Sequence, residues 1–181
     1  MEASVPMEIT CYGLVENSGG PGKSRGGYAL MREFRILSNE AELHIRTDRR
    51  AILPYGLHGG LSGTPSWNII NAGKNQKTIP VCPMKSIQLK KGDRFLHIQP
   101  GGGGFGNPLE RAPEKVLEAV ENEMITIEYA ADVYGVIIEN RKVNINATNV
   151  KRRNLLTTSS EDPAHLQHFR KFVGADERTV P

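Results

Sequence analysis

Asn17-Ser18-Gly19-Gly20-Pro21-Gly22-Lys23-Ser24-Arg25-Gly26-Gly27 is more committed to one backbone shape than any other stretch of this 181-residue chain. It has an echo in Pro100-Gly101-Gly102-Gly103-Gly104-Phe105-Gly106-Asn107-Pro108. Glycine loses more freedom on folding than any other residue, so two such clusters imply positive-φ turns or close approach to another backbone or a ligand. Both tempt a phosphate-binding reading, and their neighbours argue against it. A P-loop needs a glycine, four residues and then Gly-Lys-Ser between a strand and a helix. Here Asn17 stands where the first glycine belongs, and an alternating strand follows Arg25-Gly26-Gly27, so no helix N-terminus is offered to a phosphate. Gly101, Gly103 and Gly106 fit G-x-G-x-x-G, but Asn107-Pro108-Leu109 follows, no ribose-binding acid stands at the expected distance and no βαβ unit surrounds it. Gly19, Gly20, Gly22, Gly26, Gly27, Gly101, Gly102, Gly103, Gly104 and Gly106 are therefore read as structural loop glycines.

Outward from the first cluster, the pattern has period two. Met7, Ile9 and Cys11 alternate with polar positions, then Tyr28, Leu30, Phe34 and Ile36 share one face, then Ala41, Leu43 and Ile45, with a turn at Ser38-Asn39-Glu40. Such short alternating runs predict half-buried strands of an antiparallel sheet. A long irregular passage from Pro54 to Asn68 holds the only tryptophan, and loops of that length are functional, interface-forming or packed on a plug, here Trp67. Asn68–Asn71 and Thr78–Val81 read as strands, and Ser86–Leu89 with Arg94–Gln99 as a hairpin turned by Gly92. His97 shares the face of Phe95 and Gln99.

After Pro108 the period lengthens. Pro113 opens one helix. Ile127, Ala130, Ala131 and Tyr134 form the stripe of a second, capped by Thr126 and ended by Gly135, so a helical pair spans about 113–135. A closing hairpin is expected over Val136–Glu139 and Lys142–Asn146. In the tail, Leu166, Phe169 and Val173 mark a short helix between Asp162-Pro163 and Gly174. The fold class expected is mainly β (α+β): an antiparallel β-rich domain over 1–150, with Gly-rich loops and the helical pair, and a helical extension over 151–181 able to dock a partner.

A net charge of +3 with acidic residues interspersed argues against a nucleic-acid surface, whose cations cluster, and Lys151-Arg152-Arg153 reads as a solvated segment end. No apolar run is long enough to cross a bilayer, and Met1–Pro6 lacks a secretory pattern, so a cytoplasmic setting is expected. Cys11 and Cys82 form no metal-type pair and read as reduced buried thiols. His44 falls on a polar strand face, His58 lies among glycines, and His165 and His168 near the chain end make a weak ligand pair, so no metal site is assigned. There is no Gly-x-Ser-x-Gly elbow and no His-Glu-x-x-His. The residues alone lead to a β-rich domain with rigid glycine loops and stop short of an activity.

Several motifs in register carry the next step. They are Ser18–Gly27, Arg32-Glu33-Phe34, Arg46-Thr47-Asp48-Arg49-Arg50, Tyr55-Gly56-Leu57-His58-Gly59-Gly60, Gly63–Asn68, Pro100–Pro108 and Ala130–Val136. Over roughly residues 1–150 the chain resembles the C-terminal part of the hydantoinase B/5-oxoprolinase family. That family includes ATP-dependent hydrolases of cyclic amides such as hydantoins and 5-oxoproline, and is related to the acetone and acetophenone carboxylases.

The resemblance implies a hetero-oligomer. A hydantoinase A-type subunit binds ATP and Mg and phosphorylates the substrate oxygen, and the B-type component completes hydrolysis or carboxylation. It also implies a divalent metal in an upstream B-type segment that this chain lacks, so that no cofactor is bound by this chain and it is not competent alone. Arg25, Arg46, Asp48, Arg49 and His58 are its candidate cavity or interface residues, with turns and buried ion pairs as the structural alternative. Three roles remain open at this point: part of a cyclic-amide hydrolase, part of a ketone carboxylase, or a non-catalytic assembly domain.

Overall fold

A computed structural model describes residues 5–73, 75–80, 86–157 and 163–174. Cys82, Val81 and Asp162 lie outside these residues. Its strands are β1 (Met7–Leu14), β2 (Leu30–Ile36), β3 (Glu40–Leu43), β4 (Trp67–Ile70), β5 (Lys77–Thr78), β6 (Ile87–Lys90), β7 (Arg94–Ile98), β8 (Ile138–Glu139) and β9 (Lys142–Val143). Its helices are α1 (Pro113–Glu121), α2 (Ile127–Val133), α3 (Ile145–Thr157) and α4 (Ala164–Val173). The main sheet is antiparallel in the order β1-β2-β7-β4-β5. The expected β-rich α+β architecture is the one observed.

The predicted hairpin of β6 and β7 is not formed. Gly92 does turn the chain, with φ +92°, but β6 pairs with β3 while β7 lies between β2 and β4. The Ile36 backbone draws both bends to one place: Gly92 N–H donates to the Ile36 carbonyl at 2.8 Å, and Ile36 N–H to the Asp93 carbonyl at 2.9 Å. Asp93 fixes the corner by accepting from Lys90 N–H and from the Asn71 amide, bonds that hold its carboxyl below the usual carboxylate range. The β2–β7 ribbon thus folds over as β3–β6 and covers one sheet face, enclosing Ile36, Ile45, Ile70, Ile79, Leu89 and Phe95.

The other face takes α4. Its Phe169 and Val173 join Val15, Ala29, Trp67, Ile69 and Ile98, with Phe169 edge-on to Trp67 at 6.3 Å between ring centroids. Trp67 is therefore a strand residue sealing a helix–sheet core, not a loop plug. Because both faces are covered at β4, all four of its residues are buried instead of alternating.

In β1 the expected alternation turns over. The pairing with β2 shifts between Ile9 and Cys11, so Thr10 is the extra residue of a bulge and Cys11, a free half-buried thiol, stands opposite Glu33. The Thr10 hydroxyl donates to the buried Glu33 carboxylate at 2.7 Å, and Arg94 reaches the same oxygen at 3.4 Å.

The helical pair forms as predicted. Thr126 Oγ1 accepts from Tyr129 N–H and Gly135 follows α2 with φ +63°. The buried face of α2 is Tyr129, Ala130 and Val133, while Ile127 is half exposed. In a helix of two turns the large Tyr129 ring decides which side packs. Strand β9 ends at Val143, because Asn144 Oδ1 accepts from Ala147 N–H and opens the thirteen-residue α3. The expected start of the extension, residue 151, falls inside this helix. Arg152 is not a solvated end: its guanidinium donates to the carbonyls of Tyr134 and Arg111 at 3.1 and 2.7 Å.

Candidate functional site

The two glycine clusters come together with the segment 54–64 into one bundle of extended chains held backbone to backbone. Gly20 N–H donates to Gly102 O, Gly102 N–H to Gly27 O, Leu61 N–H to Pro21 O, Gly104 N–H to Leu61 O, and Leu57 N–H to Gly104 O, all at 2.8–2.9 Å. The glycines are required by closeness and not, as one alternative had it, by turn geometry. Among the loop glycines singled out from the sequence, only Gly106 has positive φ, at +74°. A Cβ at Gly22 would meet Phe105 N at 2.6 Å, and one at Gly103 would meet the Tyr55 carbonyl carbon at 2.6 Å. Gly27 is the exception, with nothing within 4 Å.

The bundle brings the chain segments that carry two of the five candidate residues to Phe105. Phe105 bridges both Ser24 and Leu57, so Arg25 and His58 flank one point. The His58 ring lies 4.9 Å from that of Phe105, and its backbone is held at φ +50°. Arg25 donates to the Gly26 carbonyl at 2.9 Å and lies 4.1 Å over the Tyr28 ring. Arg46, Asp48 and Arg49 are exposed and, among the described residues, form no ion pair. The buried ion pairs offered as an alternative for them are thus not formed. The backbone carbonyls of Asp48 and Arg49 instead receive the Ser66 hydroxyl and N–H.

Arg50, next in the same motif, is the ordered one. Its guanidinium lies 3.8 Å over the Trp67 ring and donates to the carbonyls of Ser66 and Ile79. Burial lowers its pKa.

A second arrangement was not singled out from the sequence. Cross-strand pairing aligns Tyr12, Arg32, His97 and Asn68 on one row of the main sheet. Asn68 is fully buried and donates through Nδ2 to Thr47 Oγ1 at 3.0 Å, which turns its Oδ1 toward His97 Nδ1, 2.8 Å away. Nδ1 is therefore the protonated nitrogen and Nε2 carries the free lone pair. Burial, with the Arg32 charge beside it, lowers the pKa of His97 and favours the neutral ring. Toward β1 the same face is open, with Tyr12 and Leu14 65% and 49% exposed. Period two placed His97 with Phe95, and the rings do stack at 6.3 Å. The signal missed was that Asn68, on the neighbouring strand β4 but 29 residues away in sequence, sits on the same row.

Among the described residues, no three His, Cys, Asp or Glu side chains are grouped to hold a metal ion, and no helix is long and apolar enough to cross a membrane.

Comparison with known proteins places the chain in context. Residues 1–108 match the family model described as Hydantoinase B/oxoprolinase. Protein MJ0963 of Methanocaldococcus jannaschii is 38% identical over 76% of this chain and 24% of its own length. A 5-oxoprolinase of Dictyostelium discoideum is 33% identical over 59% of this chain and 8% of its own. Among solved structures, the ATP-dependent caprolactamase from Pseudomonas jessenii superposes with a TM-score of 0.74 at 27% identity, over 84% of this chain and 27% of that one. An acetone carboxylase gives 0.72 at 17% identity, over 97% and 33%, a likeness of fold alone. The chain spans about a quarter of the length of the caprolactamase chain and of MJ0963. With the family model matched over more than half its residues, the chain belongs to the hydantoinase B/oxoprolinase family.

Proposed function

We propose that this chain is a part of the B-type component of an ATP-dependent hydrolase of cyclic amides, working with an A-type subunit that binds ATP. The carrying observation is the agreement of family match and fold: residues 1–108 fit the family model, and most of the chain superposes on an enzyme described as an ATP-dependent caprolactamase, which names a cyclic amide. The chemistry is coherent. A lactam carbonyl is a poor electrophile, and a phosphoryl group on its oxygen activates the carbon. Water adds there, the ring nitrogen takes up a proton and leaves as the amine, and the acyl phosphate so formed is hydrolysed by a second water to the carboxylate and free phosphate. ATP and Mg belong to the partner in this scheme, and the divalent metal to the rest of the B-type component. No step is assigned to either on this chain, whose described residues offer no ligand set.

What this chain contributes is a wall. The glycine bundle fixes the backbone around Arg25 and His58, and the open sheet face presents Arg32 and the free Nε2 of His97. A neutral, oriented imidazole with the Arg32 charge beside it suits proton transfer from water to a departing amine. The carboxylase likeness, at 17% identity, supports the fold and gives no separate reason to favour carboxylation.

The test is reconstitution with an A-type subunit and the remainder of a B-type component. Phosphate release is then measured with hydantoins, 5-oxoproline, caprolactam and ketones. Release stimulated by a cyclic amide and dependent on this chain is expected. Release with ketones alone, or release indifferent to this chain, overturns the proposal.

A further inference from the structure

Between the flank of α1 and the first glycine segment lies a pocket of about 120 Å³, of whose lining the enzyme reading uses only Arg25. That is room for about four waters at ~30 Å³ each. Its walls carry three cations, Arg25, Arg111 and Lys115, and one carboxylate, Glu118, with Asn122 beside them. The lining charge is therefore three minus one, a net of +2.

Among the described residues none of the three cations is ion-paired, although other surface cations are: Lys23 with Glu110, Arg35 with Glu8, Lys151 with Asp132. Two of the three are pinned in place. Arg25 Nη1 donates to the Gly26 carbonyl at 2.9 Å and Arg111 Nη1 to the Lys23 carbonyl at 3.0 Å, which orients each fork and leaves its remaining N–H groups for another acceptor. The Tyr28 hydroxyl is buried in the pocket wall without a well-formed hydrogen bond, with the Arg25 and Arg111 charges beside it. Three like charges held beside a single carboxylate repel, and a buried hydroxyl without a well-formed hydrogen bond is costly. One ligand type relieves both: a compact oxyanion of charge near −2.

We propose that this pocket binds a phosphate-type dianion, held by Arg25, Arg111 and Lys115 and by a hydrogen bond from the Tyr28 hydroxyl. The site stands on the pocket alone and does not depend on the cyclic-amide reading. It would take inorganic phosphate or the phosphoryl group of a small molecule, since guanidinium forks match tetrahedral oxyanions with paired bonds.

The experiment titrates inorganic phosphate into the full chain by calorimetry, with chloride compensating ionic strength. Glycerol phosphate and acetate are run as parallel arms. Saturable one-to-one binding with a dissociation constant of about 0.1–1 mM is expected for phosphate. Glycerol phosphate binding as well admits a phosphomonoester, and its exclusion restricts the site to free phosphate. Lys115→Glu should weaken binding at least about tenfold, the loss of one charged hydrogen bond. Lys142→Glu, on β9 and outside the pocket, makes the same change in net charge and should leave binding unaltered. Lys115→Gln, which removes the charge with least risk to α1, should weaken binding about threefold or more, with melting curves confirming the fold. Absence of saturation, equal loss in the Lys115 and Lys142 variants, or acetate binding as tightly as phosphate overturns the proposal.

Discussion

Gly103→Ala and Gly27→Ala add the same methyl group to the same bundle and should move stability in opposite directions. At Gly103 the new Cβ would lie 2.6 Å from the Tyr55 carbonyl carbon and closer still to its oxygen. Because the obstacle is backbone, no rotamer change relieves it, and the segments must part. Overpacking of this kind costs about 1–3 kcal/mol. Parting also stretches neighbouring bonds, such as Leu57 N–H to Gly104 O at 2.9 Å, at about 0.5–1.5 kcal/mol each. The stiffer unfolded chain returns about 0.4–1 kcal/mol. The net expectation is a loss of about 0.5–4 kcal/mol, a drop of roughly 1–16 °C in Tm for a chain of this size.

At Gly27 nothing lies within 4 Å and φ is not positive. Only the unfolded-state effect remains there, and Ala should stabilise by about 0.4–1 kcal/mol. Urea unfolding of the two variants beside the parent measures both shifts. Equal shifts, or a neutral Gly103→Ala, would refute the claim that the glycines serve interchain closeness.

Phe169→Ala should cost about 3–5 kcal/mol by urea unfolding, since Phe169 is fully buried against Trp67. A shift below 1 kcal/mol would mean that α4 is not part of the sheet core. Arg50→Lys should blue-shift or quench Trp67 fluorescence differently from the parent and fail to restore the stability lost in Arg50→Ala, because lysine cannot stack and donate to two carbonyls together. The pKa of His97 is lowered on folding, so below about pH 6.5 the unfolded chain binds the proton more readily. Stability should therefore fall as pH drops from 6.5 through the folded-state value, and His97→Gln should flatten that slope in pH-dependent melts. An unchanged slope refutes the neutral, Asn68-bonded ring. In the reconstituted enzyme, His97→Gln should lower kcat about 10²–10⁴-fold if the imidazole moves a proton, with KM less affected.

Local chemistry was the most legible part of the sequence. Thr126 as a cap, Gly135 and Gly174 as stops, and Gly92 as a turn each depend on one residue's own side chain or backbone, and each is where the pattern put it. Failures came where a neighbour distant in sequence decides. Nothing in Ser86–Gln99 says that β6 leaves for β3, because the Ile36 backbone bends that corner. The Thr10 bulge reverses the faces of β1 in response to the Glu33 carboxylate across the strand. Val143-Asn144-Ile145-Asn146 alternates like a strand, yet Asn144 caps α3, a helix whose polar composition hides its period. The candidate site was half legible. Arg25 and His58 follow from glycine-rich loops that converge, whereas the His97–Asn68–Thr47 relay needs three segments whose pairing no single window contains.

The glycine bundle has a consequence for how this chain can vary. A side-chain core tolerates exchange of one apolar shape for another, but a brace made of peptide groups has no shapes to exchange. At Gly20, Gly22, Gly26, Gly60, Gly101, Gly103 and Gly104 every larger residue collides with main chain, so these positions act as a ratchet: once the segments close, none can drift and be compensated nearby. The brace also buries peptide more than hydrocarbon, so its melting adds little to the heat capacity of unfolding. Its amides, though in segments that are neither helix nor strand, should exchange with solvent as slowly as those of the sheet.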